Sequence, residues 1–213
     1  MTLSQSATAG LRERQKQQRR DAIMDSARAL FERLGIEDST MAMIAAEAGV
    51  STPTVFNYFG SRDELLLAII FQGHQEAIDH YRRHIQRQTD SLADDLCELL
   101  SDLTERSLEI FSKPVWRYAE STAIRYPQSE FVKRYSQIDD ALIRTISDML
   151  VAHDCRTRRG GTFDADALAT IIYNHWLVHY LACLKDETMT LETHLARVLP
   201  EIRHLLDLIF EDA

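Results

Sequence analysis

Residues 40–70 have the sequence TMAMIAAEAGVSTPTVFNYFGSRDELLLAII, which predicts two short helices followed by a longer one. Its first part predicts a short helix capped by Thr40, and Gly49 ends that helix after barely two turns. Ser51 is placed to cap a second short helix, with Pro53 near its first turn, where a missing N–H does no harm. Two short helices joined by a tight turn containing glycine form the helix-turn-helix arrangement, whose second helix enters the major groove of DNA.

The flanking residues extend this pattern into a small helical head. Upstream, apolar residues recur at three- and four-residue steps and predict a first helix over about 19–34, which ends at Gly35. Downstream, Ser61 and Glu64 form a capping-box pattern that starts a longer helix. We expect the core of the head to contain Ile44, Ala48, Val55 and Phe59.

The rest of the chain is also helical in pattern. Its apolar periodicity predicts helices near 63–87, 92–111, 115–125, 128–152, 165–185 and 191–211, and no strand pattern competes. The fold class is therefore all-α. We expect a basic, disordered arm at 1–18, a helix-turn-helix domain at 19–64 and a second domain at 65–213.

The composition excludes several protein classes. Hydrophobic residues make up 45% and charged residues 27% of the 213 residues, as in globular proteins and unlike disordered ones. The three cysteines are far apart in sequence and indicate no disulfide framework. The polar N-terminus does not match a signal peptide, and no stretch approaches 18 uninterrupted apolar residues. The sequence indicates a cytoplasmic protein without a membrane partner.

The charge is unevenly distributed along the chain. Residues 1–62 hold 8 Lys and Arg against 7 Asp and Glu, whereas residues 63–213 hold 16 against 26, and the net charge is −9. Within nine positions near the N-terminus, Glu13 alone opposes five basic residues: Arg12, Arg14, Lys16, Arg19 and Arg20. Such a cluster suits contacts with DNA phosphates, although a solvated, disordered tail fits it equally well.

The run at 40–70, preceded by a helix ending in ALFERLGIEDST, closely resembles the N-terminal DNA-binding head of the tetracycline-repressor (TetR) family. The match covers about residues 19–70. The residues that carry it in register are Thr40, Ile44, Ala45, Ala48-Gly49-Val50-Ser51, Tyr58-Phe59 and Ser61-Arg62-Asp63-Glu64-Leu65. The resemblance implies an N-terminal three-helix helix-turn-helix head, followed by an all-helical body for ligand binding and dimerisation.

The resemblance also implies roles for residues of the head. Thr40 would bond a phosphate, and Tyr58 and Arg62 would hold the DNA backbone. The residues that would face the groove are Thr52, Pro53, Thr54 and Asn57. Two departures from the family pattern affect the operator: Phe56 lacks the hydroxyl of the tyrosine that is common there, and Pro53 replaces a residue that is often Gly, Ala or Lys. Ser51, Arg19 and Arg20 complete the predicted DNA-binding set.

The last predicted helix carries an apolar stripe that is wider than one buried face requires. Its positions at alternating steps of four and three are Leu191, Leu195, Val198, Ile202, Leu205 and Ile209. Such a stripe is usually core, but it can also pack against a second copy of the chain. The resemblance implies that the last two helices form an intermolecular four-helix bundle. We therefore predict a homodimer interface at Leu195, Val198, Ile202, Leu205 and Ile209.

The middle helices are rich in aromatic residues that carry polar groups. Aromatic residues at helical spacing are more often core than pocket. A mostly apolar cavity with a few convergent polar groups is, however, typical of small-molecule sites. The predicted effector-binding residues are Trp116, Arg125, Tyr135, Tyr173, Trp176 and His179.

Two histidine pairs have the four-residue spacing that can chelate a metal: His80 with His84, and His175 with His179. No nearby cysteine or acidic cluster in the sequence completes either pair. We therefore predict no metal site and no cofactor.

These patterns predict a sequence-specific transcriptional regulator that binds a double-stranded, palindromic operator as a homodimer. Repression relieved by a small apolar or aromatic effector is the leading hypothesis. The alternative is an effector-independent regulator, or an activator, of the same fold. An enzyme is disfavoured because no phosphate-binding glycine loop, GxSxG or HExxH motif occurs.

Overall fold

A computed structural model describes residues 3–84, 91–153 and 155–211, with side chains described at 10–76, 78, 91–153 and 155–211. This part of the chain is all-α, as predicted, and contains no strand beyond an isolated bridge between Thr157 and Phe210. The helices are α1 (Leu3–Leu34), α2 (Met41–Glu47), α3 (Thr52–Phe59), α4 (Arg62–His84), α5 (Leu92–Ile110), α6 (Lys113–Arg125), α7 (Glu130–Ala152), α8 (Ala165–Lys185) and α9 (Leu191–Ile209).

The first helix begins earlier than the sequence pattern indicates. We expected a disordered arm to residue 18, whereas α1 starts at Leu3. No apolar periodicity marks residues 3–18, but Gln, Ala, Arg and Leu make up most of this stretch, and these residues favour helix. The apolar pattern therefore located only the packed part of α1.

Side-chain caps set the start of most other helices. The Thr40 oxygen accepts a hydrogen bond from the Met43 N–H at 3.2 Å, and the Ser61 hydroxyl accepts one from the Glu64 N–H at 3.1 Å. The same contact, from the N–H three residues on, occurs at Ser91, Ser129, Asp164 and Thr190. Each cap satisfies a backbone donor that the first turn of a helix leaves unpaired.

The chain divides into two compact units, Met1–Ile70 and Phe71–Ala213. The boundary falls inside α4, six residues after the expected one, because the helix continues unbroken through it. In the first unit, α1, α2, α3 and the start of α4 enclose an apolar core. Its members include Ile23, Leu30, Phe31, Ile44, Val55, Phe59, Leu65 and Leu66. Of the four core residues expected, only Ala48 is half-buried rather than buried.

In the second unit, α8 packs against α6, α7 and α9, and α5 packs against α7 and α9. By length and composition, α8 could also cross a membrane, and it is the one such helix in the described ranges. Its contacts with three neighbouring helices account for part of its apolar composition, because residues such as Leu168, Ile172 and Cys183 are buried there.

Candidate DNA-binding surface and effector site

The turn between α2 and α3 has the geometry of a helix-turn-helix. Gly49 adopts φ +66°, in the left-handed region that favours glycine. The Val50 N–H donates to the Ala45 carbonyl at 2.9 Å, and the Gly49 N–H donates to the Ala46 carbonyl at 3.3 Å. These two bonds are a Schellman motif, which closes α2 and turns the chain sharply into α3.

Helix α3 has one buried face and one exposed face. Val55 and Phe59, four residues apart, are buried in the head and fix the helix. On the opposite side Pro53, Phe56 and Asn57 are exposed, and Phe56 leaves 48% of its surface open to solvent. An exposed aromatic ring on a short, anchored helix is available for contact with another molecule.

The two predicted caps behave differently. The Thr40 oxygen caps α2, and its hydroxyl proton stays available to donate to a phosphate. Ser51 occupies the N-cap position of α3 but makes no side-chain hydrogen bond to the backbone there. Its hydroxyl lies 2.8 Å from the hydroxyl of Thr54 instead, and this pair lies beside half-buried Thr52 at the start of α3.

Tyr58 and Arg62 are both partly engaged within the head. The Tyr58 hydroxyl donates to the Lys16 carbonyl of α1, at a long 3.4 Å. One N–H group of Arg62 donates to the Glu37 carbonyl at 2.8 Å. Since guanidinium has five N–H donors, Arg62 keeps others for an anion.

The basic residues near the N-terminus form a stripe on α1. Arg12, Lys16, Arg19 and Arg20 follow one another at steps of four, three and one, which places them on one helical face. Arg12, Lys16 and Arg19 are exposed, and the Arg20 guanidinium lies over the Phe59 ring at 5.4 Å from its centroid. We call these four residues the basic stripe.

A small cavity lies in the second unit, between α4, α5, α6, α7 and α8. Its volume is about 30 Å³, whereas sites for drug-sized ligands are roughly 300–1,000 Å³. Four of the six predicted effector residues line it: Trp116, Tyr135, Tyr173 and Trp176. The Trp176 indole N–H donates to the Thr104 hydroxyl at 3.0 Å, and that of Trp116 donates to the Ser107 carbonyl at 2.7 Å.

The structure separates the other two predicted effector residues from this cavity. Arg125 is exposed at the end of α6, and His179 contacts Glu201 of α9 instead. Both predictions were wrong for the same reason. Residue type and proximity in sequence suggested a polar group beside the aromatic residues, but the helical phase directs these two side chains elsewhere.

Acidic residues that the sequence analysis missed lie at the cavity. The Tyr135 hydroxyl donates to a carboxylate oxygen of Glu120 at 2.8 Å, and the Tyr173 hydroxyl donates to one of Asp139 at 2.6 Å. Burial raises the pKa of both carboxyl groups, and the tyrosine hydrogen bonds offset part of that rise. In the described part of the chain, no lysine or arginine pairs with either one.

His74 of α4 also lines the cavity and was not anticipated. Burial lowers the pKa of its imidazole to about 4, so the ring is uncharged at neutral pH. Its Nδ1 atom is buried and has no hydrogen-bond partner among the described residues. The cavity thus combines aromatic rings, the carboxyl group of Asp139 and an unsatisfied imidazole nitrogen, and the carboxyl group of Glu120 lies beside it, bonded to Tyr135. One feature of the sequence could have indicated the two carboxyl groups. Glu120 follows Trp116 by four positions and Asp139 follows Tyr135 by four, and residues at this spacing lie on the same face of a helix.

Comparison with known proteins matches residues 23–69 to the family described as bacterial regulatory proteins, tetR family. The N-terminal domain belongs to the TetR family. The matched residues are those that build the α2–turn–α3 unit and the helices that hold it. The TetR-family resemblance predicted from the motif is therefore confirmed.

Individual relatives agree with this assignment. The transcriptional regulator HbdR of Aromatoleum sp. is 34% identical over 76 residues, which are 36% of this chain and 31% of HbdR. The HTH-type transcriptional regulator YfiR of Bacillus subtilis is 27% identical over 132 residues, which are 58% of this chain and 64% of YfiR. The chain thus matches less than two thirds of the length of either relative.

Solved structures extend the similarity of fold to the body. FadR of Bacillus subtilis, solved in complex with stearoyl-CoA, superposes with a TM-score of 0.65 at 18% identity and covers 85% of this chain and 96% of FadR. At this identity the comparison shows the fold alone. The helical fold of the body is therefore similar to that of FadR.

The predicted dimer surface needs a correction within this TetR-family fold. Val198 and Ile202 of α9 are completely buried inside a single chain, so they belong to the core and the prediction was wrong for them. Leu195, Leu205 and Ile209 are half-buried. The large apolar residues that α8 and α9 expose are Ile171, Val178 and Leu208, at 55%, 66% and 63%.

Proposed function

We propose that this chain is a sequence-specific DNA-binding transcriptional regulator, and that it acts in the cytoplasm as a repressor. The observation that carries the proposal is α3, which Val55 and Phe59 anchor from inside while its opposite face stays open. A helix held in this way suits the major groove, where side chains read base edges. The TetR-family match over residues 23–69 supports the same function.

Sequence readout is assigned to the outer face of α3. The side-chain amide of asparagine can bond adenine twice, since its NH2 donates to N7 and its oxygen accepts from N6, and apolar groups contact the thymine methyl. Asn57 and Phe56 thus provide complementary chemistry. Thr54 and the methylene face of Pro53 complete this surface. Thr40, Tyr58, Arg62 and the basic stripe would bind phosphates, which position the domain on DNA without specifying sequence.

A homodimer on a palindromic operator is part of the proposal. One short recognition helix reads few base pairs, and two related by a two-fold axis read half-sites about 34 Å apart. The exposed apolar residues Ile171 and Val178 of α8 and Leu208 of α9 support an interface on these last two helices.

The body cavity is proposed to bind a small apolar or aromatic effector that lowers operator affinity, through a coupling free energy of about 1–3 kcal/mol. FadR binds stearoyl-CoA, whose acyl chain is apolar and whose CoA group is anionic. Here the half-buried Glu120 and Asp139 disfavour an anion at this place, because like charges repel more strongly where the dielectric is lower than in water. The cavity therefore favours an aromatic ligand that carries an amine.

One observation favours the alternative of an effector-independent regulator. The cavity of about 30 Å³ has to expand before it can hold a ligand larger than a water molecule or two. If the helices around it do not separate, operator affinity will not respond to small molecules.

The experiment that tests the proposed function is selection of binding sites from random DNA with the full-length chain. We expect a palindromic consensus, and we expect Asn57→Ala to reduce discrimination at one base pair by about 1–3 kcal/mol. Arg33→Gln is the control, because Arg33 is paired with Glu47 at 3.0 Å on another face of the head. Absence of any consensus, or unchanged discrimination by Asn57→Ala, would contradict the proposal.

A further inference from the structure

A cluster of potential metal ligands lies between α8 and α9, away from the cavity and from α3. His175 and His179 are one helical turn apart on α8, and Glu201 of α9 faces both. From the sequence we predicted no metal at the histidine pair, because no nearby cysteine or acidic cluster completes it. The fold supplies an acidic residue from 22 positions beyond His179, so the reason for excluding a metal was wrong.

The geometry of the three side chains is close to that of a metal site. The Nε2 atoms of His175 and His179 lie 2.8 and 3.1 Å from the same oxygen of Glu201. All three ligand atoms lie within 4.8 Å of one another. Around a tetrahedral zinc ion with bonds of about 2.0–2.2 Å, neighbouring ligand atoms are separated by about 3.3–3.5 Å. Small side-chain rotations would therefore make room for the ion.

Burial and charge at this place also suit a cation. The Nε2 atom of His175 is buried, and although it lies near Glu201 it makes no hydrogen bond of acceptable angle among the described residues. The facing Glu201 carboxylate supplies a negative charge, so the group pairs a buried imidazole nitrogen with an anionic oxygen.

We propose that His175, His179 and Glu201 form a binding site for a divalent transition-metal ion of the zinc type, which links α8 to α9. Two imidazole nitrogens and one carboxylate oxygen favour zinc, copper or nickel over magnesium or calcium, which prefer oxygen ligands alone. Water would occupy the fourth position. The proposal is independent of DNA binding and of the effector cavity. His175 and Glu201 are assigned to neither, and His179, which we had predicted to bind the effector, lies outside the cavity.

Calorimetric titration of the full-length, chelator-treated chain with Zn²⁺ tests this site. We expect one ion per chain, and we expect His175→Ala and Glu201→Gln each to weaken binding by about tenfold or more, since loss of even an outer-sphere partner costs 10–100-fold. Binding should also weaken at acid pH, because protons compete for the ligands. His204→Ala, which removes an exposed histidine of α9 outside the cluster, is the matched control and should bind as the unmodified chain does.

The two variants keep the test decisive. Glu201 is exposed and glutamine retains its size, so Glu201→Gln should fold normally even if His175→Ala does not; thermal melting without metal checks both. Zinc binding that is undetectable in the unmodified chain would overturn the proposal. So would binding by Glu201→Gln, or by a folded His175→Ala, that equals the His204→Ala control.

Discussion

Tyr135 and Tyr173 each donate a hydrogen bond to a carboxyl group at the body cavity, Glu120 and Asp139 respectively. A carboxylate has lone pairs for about four hydrogen bonds, so one neutral hydroxyl leaves much of its capacity unused. Buried charge without a cationic partner is costly, which is why the pKa of each group is raised. A protonated amine on a ligand would pair with the carboxylate and thereby offset the cost of its burial.

We predict that the chain binds 2-phenylethylamine better than phenylacetate, which differs mainly in the sign of its charge, and that Glu120→Gln reduces this preference, with Asp139 still present at the cavity. Glutamine keeps an oxygen that can accept the Tyr135 hydrogen bond, so the fold should persist. Intrinsic fluorescence can report binding, because the chain has only 2 tryptophans and both Trp116 and Trp176 line the cavity. Glu98→Gln, an exposed change on α5, is the control. Tighter binding of phenylacetate would contradict the prediction.

His74 provides a prediction of pH dependence. Its pKa is about 4 in the fold and about 6.5 in an unfolded chain, so the unfolded state takes up its proton first as the pH falls. This histidine should therefore reduce the free energy of unfolding by about 3 kcal/mol between pH 6.5 and pH 4. In urea titrations His74→Gln should lose stability less steeply than the unmodified chain over this interval. Parallel curves for the two proteins would refute the assignment.

Residue identity alone did not separate cavity residues from surface residues. The aromatic members Trp116, Tyr135, Tyr173 and Trp176 were predictable, because large amphipathic rings on helices of a globular protein are buried. Glu120 and Asp139 were missed because acidic residues on helices usually face solvent. Arg125 and His179 were misplaced because the packing of α6, α7 and α8 decides which side of each helix faces the cavity.

At the scale of the element, α1 shows where sequence patterns lose information. Apolar periodicity located the second half of α1, which packs in the head. It cannot detect the first half, because an exposed helix needs no apolar face. The helix-turn-helix was predictable because caps, a left-handed glycine and a short apolar repeat all coincide within twenty residues. Because residues 12–20 are helical, four of their basic side chains lie on one face as the basic stripe, whereas a disordered arm would not hold them together.

We predict that the basic stripe contributes to DNA binding through phosphates alone. The double substitution Arg12→Gln with Lys16→Gln should weaken binding to operator and to unrelated DNA by similar factors. It should also reduce the slope of log affinity against log salt by about 1.8, since each phosphate contact contributes about 0.9. Affinities measured at four salt concentrations check this. An unchanged slope would mean that the stripe does not touch DNA, and Arg33→Gln, already paired with Glu47, should leave it unchanged.

In the whole molecule, one part of the apolar stripe of α9 is buried in the core and another part stays exposed, and the sequence of the helix does not distinguish the two. Its stripe was predictable as helical and buried. Val198 and Ile202 turned out to lie in the core of one chain, where α9 packs against α5 and α8. Which part of a wide stripe stays exposed depends on how many neighbouring helices cover it, and that is a property of the assembled fold rather than of the helix.

We therefore predict that the exposed apolar residues of α8 lie in the dimer interface. We expect the double substitution Ile171→Glu with Val178→Glu to convert a dimer into a folded monomer, because buried like charges without partners oppose association. Light scattering after size exclusion measures the mass. Ile124→Arg is the matched control, since Ile124 of α6 is 81% exposed and lies on neither α8 nor α9. The monomer should also bind operator DNA far more weakly, because it presents one recognition helix instead of two. A double variant that remains dimeric would place the interface elsewhere, and a monomeric unmodified chain would refute the dimer itself.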